Sequence, residues 1–303
     1  YFFRFPYEIF VIARILVLDQ IDILHVQGGA WQLKGAVAAF VTGKKVVWHL
    51  NDTSIPRPIK HLFSLVAFVT ANMFVVQGEA VRKYYLGGIL KNKKYEQIFG
   101  IVDSKFFDES STKEKHGRFS VATVATATPN KNYMRILDIA NALKMNGLVV
   151  DFYVVGRVNA NHQAYFDNVV AKQEIDGLEN VHFLGECYDV KSFLDKADIY
   201  LCCSNNEASP TSVWEGMATG MPAITTDVGN VRQVIRHGID GYICRHDVVD
   251  LANKINLLFH DKDGRRQMGE SAKWRVRDIF GVKENGLRLK SIYETLLKNR
   301  TES

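Results

Sequence analysis

Residues 202–227, CCSNNEASPTSVWEGMATGMPAITTD, place a strand end, a polar loop, a helix and a second strand within 26 residues. Ile199–Cys203 is a short apolar run of strand type, and Ser204–Asn205–Asn206–Glu207 is the polar turn at which it emerges at its carboxyl end. Open α/β sheets bind ligands at that end. Ser212 with Glu215 three residues on has capping-box spacing, Pro210 and Thr211 suit a helix approach, and Gly220 followed by Pro222 supplies a stop. The stretch therefore predicts a helix from about Thr211 to about Gly220. Its first amides, around Ser209, Pro210, Thr211 and Ser212, would form an anion site suited to phosphate. Glu215 could then accept hydrogen bonds from a sugar diol, and Glu207, at the mouth of the loop, from further hydroxyls. The plainer alternative makes Ser212 and Glu215 a cap and Glu207 a solvated loop acid.

The rest of the 303-residue chain fits two α/β domains better than one. Short apolar runs alternate with helical patterns: Ile21–Val26, then a turn at Gln27–Gly28–Gly29, a helix through Phe40 and the strand Lys45–Leu50. Continuous apolar strands separated by helices predict parallel sheets covered on both faces. Tyr1–Asp19 reads as a helix packed on such a sheet. The longest uncharged stretch, Leu62–Gln77, is too short and too polar to span a bilayer and reads as a buried helix passing into a strand. No secretory signal pattern is present. The four cysteines, Cys187, Cys202, Cys203 and Cys244, lack Cys-x-x-Cys spacing, which suits reduced, buried thiols and a cytoplasmic protein.

Charge is uneven. Residues 1–117 carry 15 Lys and Arg against 10 Asp and Glu, whereas residues 118–303 carry 23 of each. Arg82, Lys83, Lys91, Lys93 and Lys94 form the densest basic cluster, which suits contact with anionic lipid at the inner face of a membrane, an acidic acceptor, or solvent alone. No aromatics alternate with these charges, so nucleic acid is not an expected partner. Asp261-Lys-Asp263, the only Asp-x-Asp, lies in a charged loop with no strand before it and is not read as a metal site.

Glu207-(x)7-Glu215, with Gly220-Met-Pro222, Asp227-Val-Gly-Asn230 and Gly238-Ile-Asp-Gly-Tyr242 in the same order, resembles the donor-binding signature of glycosyltransferase family 4, whose members have the GT-B fold. The resemblance implies an α/β protein of two Rossmann-like domains with parallel sheets facing a cleft. The acceptor-side domain would occupy residues 1–112, the nucleotide-sugar domain 113–281, and a helix over 282–303 would cross back to the first domain. Family members carry a first strand and a glycine-containing loop ahead of the segment that begins at Tyr1, so the first domain is expected to be incomplete. Tyr95–Phe107 resembles the segment closing that domain, and Asp108–Gly117 reads as the linker.

The same resemblance distributes the site. Lys131 matches the lysine that holds the donor diphosphate, and Glu207 holds the donor sugar. Glu215 takes the ribose, and backbone groups at Gly185 and Glu186 meet the base. The strand end Val47-Trp-His49 implies His49 at the cleft beside the transferred sugar, with His25 a weaker candidate. Two positions depart from the pattern: Thr126 stands where an arginine accompanies the lysine, and Gln233 where an acid is usual. Arg157, closing the strand Val150–Gly156, could compensate for the first. The implied activity is retaining, metal-independent transfer from a nucleotide-diphosphate sugar, with no cofactor, to a glycan or lipid-linked acceptor in cell-surface polysaccharide biosynthesis. A non-catalytic nucleotide-sugar-binding subunit and a nucleotide-sugar 2-epimerase of the same architecture are the alternatives.

Overall fold

The structure, a computed structural model, describes residues 4–28, 32–51, 53, 55–108, 117–207 and 209–301, so Gly29 of the expected turn and most of the expected linker lie outside the described residues. The chain forms two compact units, Tyr1–Gly100 with Lys283–Ser303, and Ile101–Val282. The first begins with α1 (Arg4–Leu18), β1 (Ile23–Gln27), α2 (Leu33–Val41), β2 (Lys45–Leu50), α3 (Arg57–Thr70), β3 (Met73–Val76), α4 (Glu79–Tyr85) and β4 (Tyr95–Gln97). Its strands pair in parallel in chain order. Right-handed crossovers that always step the same way put their helices on one face. Accordingly Val46, Trp48 and Leu50 of β2 and Phe74 and Val76 of β3 share a core with Ala36 and Ala39 of α2 and Phe63 and Ala67 of α3.

One expectation fails here. The helix in Leu62–Gln77 is not buried: only the stripe Phe63, Ala67 and Thr70 is, while Leu62, Leu65, Phe68 and Val69 stand in solvent. A helix layered on one face of a sheet needs a single apolar stripe; this one carries two.

The second unit contains β5 (Ser120–Val124), α5 (Tyr133–Met145), β6 (Asp151–Val155), α6 (Gln163–Ile175), β7 (Val181–Gly185), α7 (Val190–Leu194), β8 (Ile199–Cys202), α8 (Thr211–Ala218), β9 (Ala223–Thr226), α9 (Val231–Val234), β10 (Gly241–Cys244), α10 (Val248–His260) and α11 (Lys262–Phe280). The sheet order, β10-β9-β8-β5-β6-β7, reverses direction between β5 and β8. Their backbone ladder covers only Val121 with Ile199 and Ala122 with Tyr200. Beyond it side chains take over: Thr123 donates to the Leu201 carbonyl at 2.8 Å, and the buried Tyr200 hydroxyl accepts from the Val124 amide at 3.2 Å. The carboxyl ends of the two strands thus part, which is how a doubly wound sheet makes a crevice at its switch point.

The chain ends in α12 (Val282–Thr301), whose Ile292 and Leu296 pack on Val47, Met73 and Val75. These strand residues alternate with those facing α2 and α3, so α12 covers the other face of the first sheet. The Asp261-Lys-Asp263 segment is a helix junction rather than a loop: Asp261 caps α11 by accepting from the Gly264 amide at 2.8 Å.

Within α8, a Cβ on Gly216 would sit 2.5 Å from the Tyr200 ring. Replacing a mid-helix glycine by alanine ordinarily stabilises by about 1 kcal/mol, but here the added methyl must displace a fully buried ring, which costs about 1–3 kcal/mol. Gly216→Ala is therefore expected to lower the urea midpoint at unchanged slope. A higher midpoint would mean that the ring yields without cost.

Candidate active site

A cavity of about 510 Å³ opens over the parted ends of β5 and β8, and Thr126, Lys131, Arg157, Glu186, Glu207 and Ser209–Ser212 all line it. Residues from five separate loops and helix starts therefore meet there, while Glu215 is not part of the lining. Gly185, at the end of β7, has φ +71° and accepts from the Gly156 amide at 2.8 Å, so it shapes the wall through its backbone. Val124, Ala125, Gly156, Cys187 and Val190, which no motif singled out, complete the lining.

The centre of the cavity is an ion pair. Lys131 Nζ donates to Glu207 Oε1, which also accepts from the Ser204 hydroxyl at 2.7 Å. With side chains 26 % and 13 % exposed, both groups are partly desolvated yet open to a ligand. Their loops are bound together by polar contacts: Asn205 donates its amide to the Asn130 carbonyl at 2.8 Å, and Asn130 Nδ2 donates to the Asn206 carbonyl at 2.8 Å. Arg135, in the first turn of α5, donates to the Cys203 carbonyl at 2.9 Å and to Asn205 Oδ1 at 3.2 Å. Asn132, left-handed at φ 54°, caps α5 by accepting from the Arg135 amide, a conformation asparagine tolerates better than most residues.

The helix start differs from the expected capping box. Pro210 is the cap residue of α8, no side-chain cap bond forms, and Ser212 is already the second helical residue. Glu215 consequently lies one turn in, where burial pushes its carboxyl up, Lys105 lowers it and Asp103 raises it again. The start itself is anchored by Ser209, whose hydroxyl oxygen accepts from Trp214 Nε1 at 3.2 Å and from Asn230 Nδ2 at 3.1 Å. Trp214 in turn stacks on Phe280 of α11 at 5.1 Å. Thr126 carries no charge, and Arg157, exposed and held by Asn159 Oδ1 at 3.0 Å, has no acid partner among the described residues. Gln233 sits in α9, where its carbonyl accepts from Arg275. No group of three or more His, Cys, Asp or Glu side chains is gathered to hold a metal among the described residues.

In the first unit, His49 lies near the carboxyl end of β2. His25 Nε2 is 3.3 Å from His49 Nδ1, and His25 Nδ1 is 2.6 Å from the hydroxyl of Tyr293 on α12. The strand register, His25 opposite Val47 and Gln27 opposite His49, puts both imidazoles on one face. If the phenol donates to His25 Nδ1, His25 Nε2–H donates to His49 Nδ1 and leaves His49 Nε2–H outward as a donor. Burial, with His25 adding repulsion, lowers the His49 pKa to about 4, and burial also lowers that of His25.

Solved structures of similar proteins carry this architecture. A crystal structure of HepE from Anabaena in complex with UDP superposes with a TM-score of 0.82 at 19% identity, over 95% of this chain and 82% of that one. A glycosyltransferase from Rickettsia africae gives 0.84 at 19%, over 98% and 82%. The fold is GT-B. The model of the glycosyl transferases group 1 family matches residues 104–275, more than half of the chain, and the protein belongs to that family. Among its relatives, the N-acetyl-alpha-D-glucosaminyl L-malate synthase of Bacillus anthracis is 24% identical over 97% of this chain and 81% of that protein. The N,N'-diacetylbacillosaminyl-diphospho-undecaprenol alpha-1,3-N-acetylgalactosaminyltransferase of Campylobacter jejuni is 27% identical over 80% of this chain and 65% of that protein.

The depressed His49 pKa makes a testable link to stability. Above about pH 6.5 the imidazole is neutral in folded and unfolded chains alike; as pH falls below it the unfolded chain takes up the proton first, so the folded state loses stability down to about pH 4. His49→Asn should remove roughly 2 kcal/mol of that acid sensitivity. The measurement is the difference in unfolding free energy between pH 7.5 and pH 4.5 for wild type and variant, and equal differences would show that His49 is not held neutral.

Proposed function

We propose that the protein is a retaining, metal-independent glycosyltransferase that moves a sugar from a nucleotide-diphosphate sugar to a glycan or lipid-linked acceptor in cell-surface polysaccharide biosynthesis, on the cytoplasmic side of the membrane. The observation that carries it is the Lys131–Glu207 pair, made by residues 76 positions apart inside a cavity that also holds a helix start and Arg157. The relatives named above support the substrate class by the chemistry in their names, which includes a diphospho-undecaprenol acceptor in one case.

In this reading an arriving donor divides the pair. The diphosphate takes Lys131, Arg157 and the amides at Thr211 and Ser212, and the sugar hydroxyls take Glu207. Glu215 accepts from the ribose, and backbone groups at Gly185 and Glu186 meet the base. Arg157 supplies the second cation that Thr126 does not. The bond from the anomeric carbon to the diphosphate oxygen breaks as the acceptor hydroxyl bonds to that carbon from the leaving-group side. Fixed charge at the departing diphosphate and positioning carry the rate. His49 is assigned, on the first unit, the part of a neutral imidazole that hydrogen-bonds a sugar hydroxyl.

The test combines binding with turnover. Thermal shift against UDP, GDP, ADP and their sugars, with EDTA present, should reveal stabilisation by one nucleotide, about 2.7 kcal/mol at a hundredfold excess over Kd. Glu207→Ala should keep or increase the shift given by the nucleotide alone, which no longer has to part Lys131 from a carboxylate, while transfer falls by 10²–10³ or more, in the range known for a lost transition-state contact. Arg157→Ala should weaken nucleotide binding about tenfold, the loss of one charge-assisted contact. Binding without turnover in the wild type would make the protein a binding subunit, and an isomerised donor formed without acceptor would make it an epimerase. Full transfer by Glu207→Ala would remove the site assignment.

A further inference from the structure

The solvent-facing side of α3 is unlike a solvated helix face. Leu62, Leu65, Phe68 and Val69 stand there at helical spacing, and Ile89, on the turn beside it, continues the patch; all five are between 49% and 63% exposed. The stretch of chain that carries the patch is strongly basic. Residues 57–94 contain seven Lys and Arg against a single acid, Glu79, a net +6 where the whole chain carries +5. Glu79 is already paired with Arg82 at 2.5 Å and Lys83 at 3.7 Å. Lys60, Lys91, Lys93 and Lys94 have no acid partner among the described residues, and Lys93 Nζ sits 5.0 Å above the Phe68 ring, at the edge of the apolar stripe. Between helix and turn runs a groove of about 390 Å³ with Lys60, His61 and Ser64 on its polar side and Leu65 and Ile89 on its apolar side. No helix among the described residues is long and apolar enough to cross a membrane.

We infer that this face is a docking surface for an anionic phospholipid bilayer: α3 lies in the plane of the interface with Leu62, Leu65, Phe68 and Val69 entering the acyl boundary, Ile89 beside them, and a lipid phosphate in the groove at Lys60, His61 and Ser64. An apolar stripe rimmed by lysines is what binds such a surface, because burial of apolar area and attraction to anionic headgroups add. A protein partner would have to meet four unpaired lysines with acids of its own, whereas an anionic leaflet supplies that charge everywhere. The surface gives a structural basis to the placement at a membrane proposed above and rests on it.

The experiment is flotation of the chain with vesicles of phosphatidylcholine alone or mixed with phosphatidylglycerol. No donor or acceptor is present, so loss of vesicle binding and loss of transfer are read separately. The wild type should float with the anionic vesicles, stay behind with the neutral ones, and release as salt rises. Lys91→Gln with Lys94→Gln should weaken binding about 25-fold, roughly fivefold per charge, whereas Lys196→Gln with Lys290→Gln, on other surfaces, should leave it unchanged. Leu65→Asp with Val69→Asp should abolish it; both sites are exposed, and an unaltered unfolding midpoint checks the fold. The inference is overturned if the wild type ignores anionic vesicles at low salt, if the aspartate variant binds as well as the wild type, or if the wild type is a dimer in solution that the aspartate variant dissociates, since the face would then belong to a second copy.

Discussion

Everything in the candidate active site depends on the fastening of two loops that leave neighbouring strands at the switch point. The loop after β5 carries Lys131 and the loop after β8 carries Glu207, and the backbone ladder between these strands has ended before either loop begins. A crevice is open because pairing stops, so something other than the sheet must hold its rims. Asparagines 130, 132 and 205 and Arg135 do so with bonds that are mostly side chain to backbone. Each is worth about 0.5–1.5 kcal/mol net, but their joint effect is geometric. They keep a lysine and a carboxylate from distant parts of the chain within contact, which neither flexible side chain would maintain across a free loop.

That fastening also bears on the electrostatics. Lys131 is neutralised by Glu207 while the cavity is empty, so the pair presents no net charge to an arriving anion. Arg157, exposed and without an acid partner among the described residues, is the uncompensated cation of the lining. In the proposed function, the diphosphate is therefore drawn first by Arg157 and the amides at the start of α8, and wins Lys131 from Glu207 only when sugar hydroxyls replace the lysine at the carboxylate. Splitting a partly buried pair without replacing both partners costs several kcal/mol. A nucleotide diphosphate alone would pay that cost in full, and a complete donor would not, which favours a donor carrying hydroxyls where Glu207 can reach them.

Much of this was legible in the sequence because it follows from local pattern. Lys45–Leu50 is a strand over those residues, and α8 begins at Thr211, because a largely apolar run and a Pro-Thr approach leave few alternatives. The capping box failed for an equally local reason. Pro210 fixes its own φ and serves as the cap residue, so Ser212 arrives too late to cap. Other features had no local signal. Nothing near His49 announces that Tyr293, 244 positions later, belongs to the same hydrogen-bonded chain; the clue in the first half was only that His25 and His49 have the same parity in adjacent strands. The outer stripe of α3 was missed because an uncharged apolar run looks the same whether one of its faces is buried or both.

The histidine chain shows how the last helix can matter to chemistry carried by a strand. A neutral imidazole with two equivalent tautomers offers a substrate either a donor or an acceptor, and a site that must recognise one hydroxyl in one orientation needs the choice made in advance. Low pKa values settle protonation but not tautomer. The tautomer depends on what lies behind His25, and there the structure puts a phenol, a better donor than acceptor. With Tyr293 donating, protons line up through His25 toward His49, and the nitrogen left free on His49 carries hydrogen. In the proposed function, the donor character of His49 thus rests on Tyr293 of α12.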